Sequence, residues 1–132
     1  MTHTYVQSTG VWTWTDDKKQ GVHPIGVGYS GHGAGVNNPD MQEVEGIGPI
    51  PVGFYTIGFA LNPPDHLGPL AMPLIPDASN QMFGRSAFFV HGAHANDQRD
   101  SSHGCPILDH AARIQISANT DRRLHVIAKV TG

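Results

Sequence analysis

Cys105 is the single cysteine of this 132-residue chain, and its neighbours are those a thiol nucleophile needs. It lies in Ser101-Ser102-His103-Gly104-Cys105-Pro106, downstream of Phe88-Phe89-Val90-His91-Gly92. A thiol attacks a carbonyl as the thiolate, so an imidazole or a cation must stand beside it. It also needs backbone N–H groups aimed at the oxyanion that forms. Gly104 lets the chain turn sharply and lets a substrate approach the backbone. His91 closes an apolar run, so a strand end would hold its ring in place to serve as a base. The polar loop 93–100 is long enough to fold back and bring His91 to Cys105. Pro106 and the periodic segment beyond it place Cys105 near a helix N-terminus, a position that lowers a thiol pKa.

Blander readings compete with this one. A lone cysteine is commonly a small buried hydrophobe, but Ser, His and Gly neighbours do not read as core. His91, His94, His103 and Cys105 could in principle ligate zinc, yet their spacing matches no common zinc signature, and no metal or other cofactor is expected. His3, His23, His32, His66, His110 and His125 have no chemical context. Gly26-Val27-Gly28-Tyr29-Ser30-Gly31 matches G-x-G-x-x-G, but Gly33, Gly35 and Pro39 follow, so no helix can begin there to receive a pyrophosphate. A glycine-rich loop near a binding cleft is the better reading.

The elements that must position these residues are mostly strands. Tyr5-Val6-Gln7 and Val11-Trp12-Thr13-Trp14 flank Ser8-Thr9-Gly10, a β-hairpin pattern. A polar turn follows at 16–20, then a strand over 22–30 weakened by Pro24. The stretch 31–51 is loop. Short strands are expected at 54–57, at 70–75 with Pro73 at an edge or bulge, at 87–90 in the core, and at 124–130. Residues 63–69 read as loop. A single helix is expected over 108–118, where Leu108, Ala111, Ala112 and Gln115 with Ile107 and Ile114 give a helical face.

Composition sets the outer limits. The length suits a single domain, 1–132, with a real core. Charged residues are 14%, against ~25% in typical globular proteins. The eight Lys and Arg are scattered and the net charge is -3, which argues against a nucleic-acid partner. With 16 Gly and 10 Pro interleaved among apolar residues, a loop-rich β domain is favoured over disorder. No apolar run approaches the ~18 residues of a membrane span, so no membrane insertion is expected. The segment 1–14 has neither a basic nor an apolar signal region. A protein made in the cytoplasm and acting outside it would then need another delivery route.

The pair formed by His91-Gly92 and Ser102-His103-Gly104-Cys105 resembles the signature of the L,D-transpeptidase (YkuD) family. Further segments resemble that family's Tlde1 branch, type VI secretion effectors with L,D-transpeptidase-like domains. They are Tyr29-Ser30-Gly31, Asn37-Asn38-Pro39-Asp40-Met41-Gln42, Gly48-Pro49-Ile50-Pro51-Val52-Gly53-Phe54-Tyr55-Thr56-Ile57 and Met82-Phe83-Gly84-Arg85-Ser86. The similarity spans nearly the whole chain. It implies a mostly β fold, a YkuD-like β-sandwich with one or two short helices and long loops.

It also implies an activity. Cys105 would attack the carbonyl of the third residue of a peptidoglycan stem tetrapeptide, expelling the terminal D-alanine and forming a thioester. Water, a D-amino acid acceptor or another stem's amine would resolve it. His91 matches the general base, oriented by a backbone carbonyl such as that of Gly92. His103 matches the second motif histidine, and Ser102 a hydrogen-bonding residue behind the nucleophile. The N–H groups of Gly104 and Cys105 are the oxyanion candidates. Arg85, Asn96 and Arg99 are candidates for the terminal carboxylate, against the alternative that each is a solvated surface group. Ile107 stands where the wider family carries Asn or Arg, and the loop between the histidines is short. As an effector the protein would involve a secretion apparatus component, a target-cell periplasm and an immunity protein in the producer. A phage or housekeeping wall peptidase is the alternative delivery context. A papain-like or NlpC/P60-like hydrolase is disfavoured, since there the cysteine precedes its histidine. A non-catalytic wall-binding β module would use Trp12 and Trp14 on sugars, but no continuous aromatic platform is expected from them.

Overall fold

A computed structural model gives the structure of the protein and describes residues 2–16, 21–60, 70–93 and 101–130. The elements in chain order are β1 (Thr2–Val6), β2 (Val11–Asp16), β3 (Gly21–Val27), β4 (Gly53–Ile57), β5 (Met72–Pro76), β6 (Phe89–Val90), α1 (His110–Ala118) and β7 (Arg123–Ile127). Two 3-10 turns, Gly33–Gly35 and Pro39–Met41, punctuate the long loop between β3 and β4. The strands form one sheet in the order β3-β2-β1-β7-β4-β5-β6. The β1–β7 pair is parallel and the others are antiparallel.

Local chemistry explains most of this. The β1–β2 hairpin sets Tyr5 opposite Trp12 and turns through Gly10 at φ 74°, a left-handed position that glycine occupies without strain. Pro24 is tolerated because β3 is an edge strand and its register shifts opposite Trp12 and Thr13. β3 stops at Val27; the Gly28 N–H still donates to Gly10 O at 2.8 Å, and Tyr29 leaves the sheet for another partner described below. Pro73 does not lie at the edge of the sheet as expected. β5 has β6 on its outer side, and β6 is only two residues long. The strand expected over 87–90 contracts to Phe89–Val90, since Ala87 adopts φ 64°.

One buried cluster unites Tyr5, Trp12, Tyr55, Leu74, Val90, Leu124 and Val126 of the sheet with Leu108, Ala112 and Ile116. Residues from β2, next to one edge, and from β6, at the other edge, share this core, so the sheet curls, with α1 packed inside. The helix starts at His110 because Asp109 caps it, its carboxylate accepting from the Ala112 N–H at 2.8 Å. Its buried stripe is Ala112, Arg113 and Ile116, while Ile114 is exposed, so the buried face is rotated from the one expected. Truncating the fully buried Ile116 to Ala removes roughly 2–5 kcal/mol. Trp12 and Trp14, two apart on β2, share one face. Trp12 is sealed in the core with its indole N–H donating to His3 Nδ1 at 3.0 Å. Trp14 is half-buried at the margin, so the two make no continuous platform.

Candidate active site

The segment 101–107 is laid against residues 29–31 by a set of short polar contacts. Tyr29 and Ile107 exchange backbone bonds, with N–H···O distances of 3.2 and 2.7 Å. The Tyr29 hydroxyl accepts from the Ser101 N–H at 2.9 Å. Ser30 is fully buried; its hydroxyl donates to Gly104 O at 2.6 Å and accepts from the Ile50 N–H at 2.9 Å. Ser102 is its counterpart, donating to Cys105 O at 2.6 Å and accepting from the N–H groups of Gly31 and Gly104. Both hydroxyls satisfy donor and acceptor in a dry interior, where an unmade bond costs roughly 1–3 kcal/mol. The glycines of the false dinucleotide motif explain themselves here. A Cβ on Gly28 would collide with Ile107 O, so glycine is what lets the two segments meet.

The strand end carrying His91 packs along the other side of the Cys105 segment. The Phe89 N–H points at Cys105 Sγ at 3.4 Å. The His91 N–H donates to Pro106 O at 3.2 Å and the Leu108 N–H to His91 O at 3.1 Å. The run from Phe89 to His91 therefore lies alongside that from Cys105 to Leu108, with His91 and Ile107 as parallel bridge partners. The His91 side chain is buried, and its Nδ1 lies 2.9 Å from Gly92 O. A carbonyl oxygen only accepts, so Nδ1 carries a proton, leaving Nε2 as the basic nitrogen of the neutral ring. Gly92 itself is packed under the Arg113 guanidinium, where any Cβ would clash.

Cys105 is half-buried against the core and opens on a cavity of about 240 Å³ lined by Glu45, Gly46, Arg85, Ser86, Ala87, Phe88 and His103. Burial pushes its thiol pKa up, and the Phe89 N–H and the Arg85 charge pull it partway back. The helix does not contribute as expected: α1 begins five residues downstream at His110, and dipole effects fade within the first turn. Gly104 turns at φ 136°, and a Cβ there would strike Arg85 Nη2. His103 is exposed and stacks on His32, with ring centroids 5.1 Å apart and planes inclined by 18°.

Two of the expected assignments change. Gly104 is not an oxyanion donor, because its N–H is turned inward onto Ser102 Oγ at 2.9 Å. The Cys105 N–H has no hydrogen-bond partner among the described residues and is the donor left for that role. Arg85 is neither a solvated group nor a free carboxylate clamp. Its two Nη atoms donate to the carbonyls of Gln42, Gly48, Pro49 and His103, and its guanidinium lies 5.2 Å from the Phe88 ring centre. Burial lowers its pKa, and neighbouring Tyr55, Glu45 and Cys105 raise it. It ties the loop 42–49 to the turn at His103 while keeping a positive charge at the thiol. Asn96, Arg99 and His94 lie outside the described residues. Among the described residues no group of three His, Cys, Asp or Glu side chains is placed to share a metal ion. Ser30, Glu45 and His32 were not singled out as site residues. The resemblance at Tyr29-Ser30-Gly31 was the only signal for Ser30, and none marked the other two.

This architecture is shared with two crystal structures of the helical cell shape determining protein Pgp2 from Campylobacter jejuni. One aligns with a TM-score of 0.68 at 17% identity over 98% of this chain and 48% of that chain. Its K307A mutant aligns with a TM-score of 0.62 at 16% identity over 98% and 47%. The chain thus spans about half the length of those structures. At that identity the likeness defines the fold alone. Residues 26–131 match the Tlde1 domain, and the chain belongs to the Tlde1 domain family. No curated protein sequence matches it.

Proposed function

We propose that the protein is a cysteine-dependent peptidoglycan L,D-carboxypeptidase or L,D-transpeptidase, acting on stem tetrapeptides as an antibacterial effector in the periplasm of a target cell. The observation that carries this reading is the state of Cys105: a thiol opening on a cavity, its own N–H unpartnered among the described residues, beside a buried histidine strand end. Family membership supports a wall-directed effector.

The chemistry follows from the groups present. Burial holds the proton on Sγ near neutral pH, so attack requires a base, and His91 Nε2 takes that proton. Sγ bonds to the carbonyl carbon of the third stem residue, and the oxyanion is received by the Cys105 N–H. Collapse breaks the C–N bond, and the imidazolium returns the proton to the departing D-alanine amine. The thioester is then attacked by water, a D-amino acid or another stem's amine. His91 removes the attacking group's proton and passes it to the leaving sulfur. Water gives tripeptide, and an amine gives exchanged or cross-linked stem. In this scheme His103, on the exposed lip, contacts substrate. Arg85 keeps positive charge at the sulfur and holds the turn. An immunity protein in the producing cell would cover the Cys105 cavity, and co-purification from that cell without such a partner would count against the effector role.

The test is incubation of purified tetrapeptide muropeptides with and without a free D-amino acid, read by mass spectrometry. Tripeptide in water and exchanged tetrapeptide with the D-amino acid are expected, and neither from Cys105→Ala. Unchanged muropeptides with the wild-type protein would refute the enzymatic reading and leave a wall-binding module.

A further inference from the structure

A groove among the described residues lies away from the thiol. Its volume is about 540 Å³, and it is lined by Trp14, His23, Ile25, Gln115, Ala118, Asn119 and Thr120. One wall comes from β2 and β3, where Trp14 and His23 are cross-strand partners with rings stacked at 5.1 Å and 30°. The other is the last turn of α1 and the residues after it. Most of the first wall precedes residue 26 and so lies outside the part of the chain that matches the Tlde1 domain.

We propose that this groove binds the glycan strand of the polymer whose stem peptide is presented to Cys105, holding a neutral N-acetylhexosamine unit. The inference rests on the wall-directed reading above. Among the described residues its lining holds no Lys, Arg, Asp or Glu, which disfavours a charged ligand. Ile25 and Ala118 give it an apolar floor, suited to the C–H face of a pyranose and to an acetamido methyl. Trp14 supplies an aromatic surface that is fixed in place. Its indole N–H donates to Asp121 Oδ2 at 2.6 Å, and the Asp121 N–H donates to Asn119 Oδ1 at 2.9 Å. An amphipathic ring anchored at its polar end is a low-entropy contact surface.

The polar groups of the groove also differ from those around Cys105. Among the described residues, the Gln115 amide, the Thr120 hydroxyl and Asn119 Nδ2 make no hydrogen bond. They offer donors and acceptors to hydroxyl and acetamido groups at little rearrangement cost.

The experiment titrates Cys105→Ala with N,N′,N″-triacetylchitotriose, following the Trp14 indole and the Gln115 and Asn119 side-chain amides by NMR. Saturable shifts at those groups are expected, and isolated stem tetrapeptide should leave them unmoved. Gln115→Ala combined with Thr120→Ala should weaken chitotriose binding about tenfold, the loss of two hydrogen bonds. It should also lower the ratio of turnover on intact sacculi to turnover on isolated stem peptide. The proposal is overturned by an absence of saturable shifts at the groove, by shifts centred on another face, or by equal affinity in the double variant. Wild-type protein that binds chitotriose but turns over no stem peptide sinks the enzymatic reading alone.

Discussion

The two chain segments walling in the Cys105 residue, one lining its cavity and one packed behind it along the 105–108 run, are held with unequal firmness. The wall ending in His91 and Gly92 is a core strand continued by backbone bonds to Pro106 and Leu108, with the His91 ring buried and one nitrogen tied to Gly92 O. The opposite lip carries His103, exposed and held by a stack on His32. On the proposed mechanism the difference separates their tasks. A proton acceptor must present one nitrogen in one place, and burial with a fixed tautomer does that. A group meeting a varied polymer gains from exposure and loses little from a looser hold.

The largest expected effect tests the firm wall. His91→Ala should reduce tripeptide formation by about a thousandfold or more while leaving the far-UV spectrum intact. A residual rate within tenfold of wild type would assign the base to another residue. Next comes Arg85→Gln, which removes donors to four carbonyls, those of Gly48 and Pro49 buried, and the positive charge near the thiol. It should cost about 2–4 kcal/mol in denaturant unfolding. Because the Arg85 charge lowers the thiol pKa, the pH at which Cys105 alkylation is half-maximal should move upward in this variant. Wild-type alkylation should already titrate above the ordinary thiol range, since burial dominates. A titration below that range in wild type would mean a resident thiolate–imidazolium pair instead.

The looser lip should give smaller numbers. His103→Ala is expected to lower turnover by about tenfold without changing stability, roughly the worth of one modest contact. A loss as large as that of His91→Ala would erase the distinction between the walls. The smallest effect concerns the backbone between them. Ala87, which lines the cavity at φ 64°, holds a left-handed conformation costing a Cβ-bearing residue about 1–2 kcal/mol. Ala87→Gly should therefore leave stability unchanged or raise it by up to ~1 kcal/mol, seen as a higher Tm.

Much of this was legible in the residues themselves. The hairpin, the short β strands and the single helix followed from turn residues and period, and type and spacing picked out His91 and Cys105, whose segments the structure lays side by side. What was hidden depended on contacts remote in sequence. Nothing local shows that Ser30 will hold Gly104 O or that Arg85 will be captured by carbonyls from three loop positions and the motif turn. The helix start was misplaced because Leu108 is buried as part of an extended segment, and its apolar side chain mimicked a helical period. The oxyanion assignment failed for a related reason. Ser102 can reach back to the Gly104 N–H only once Gly31 and Cys105 O have fixed its hydroxyl.

Intact-protein mass spectrometry during turnover of a stem tetrapeptide tests the central chemical claim most directly. An adduct equal to the acylating tripeptide should appear on Cys105, vanish with hydroxylamine, and fail to form in Cys105→Ala and His91→Ala. Tripeptide released by Cys105→Ala at the wild-type rate would contradict a covalent sulfur intermediate.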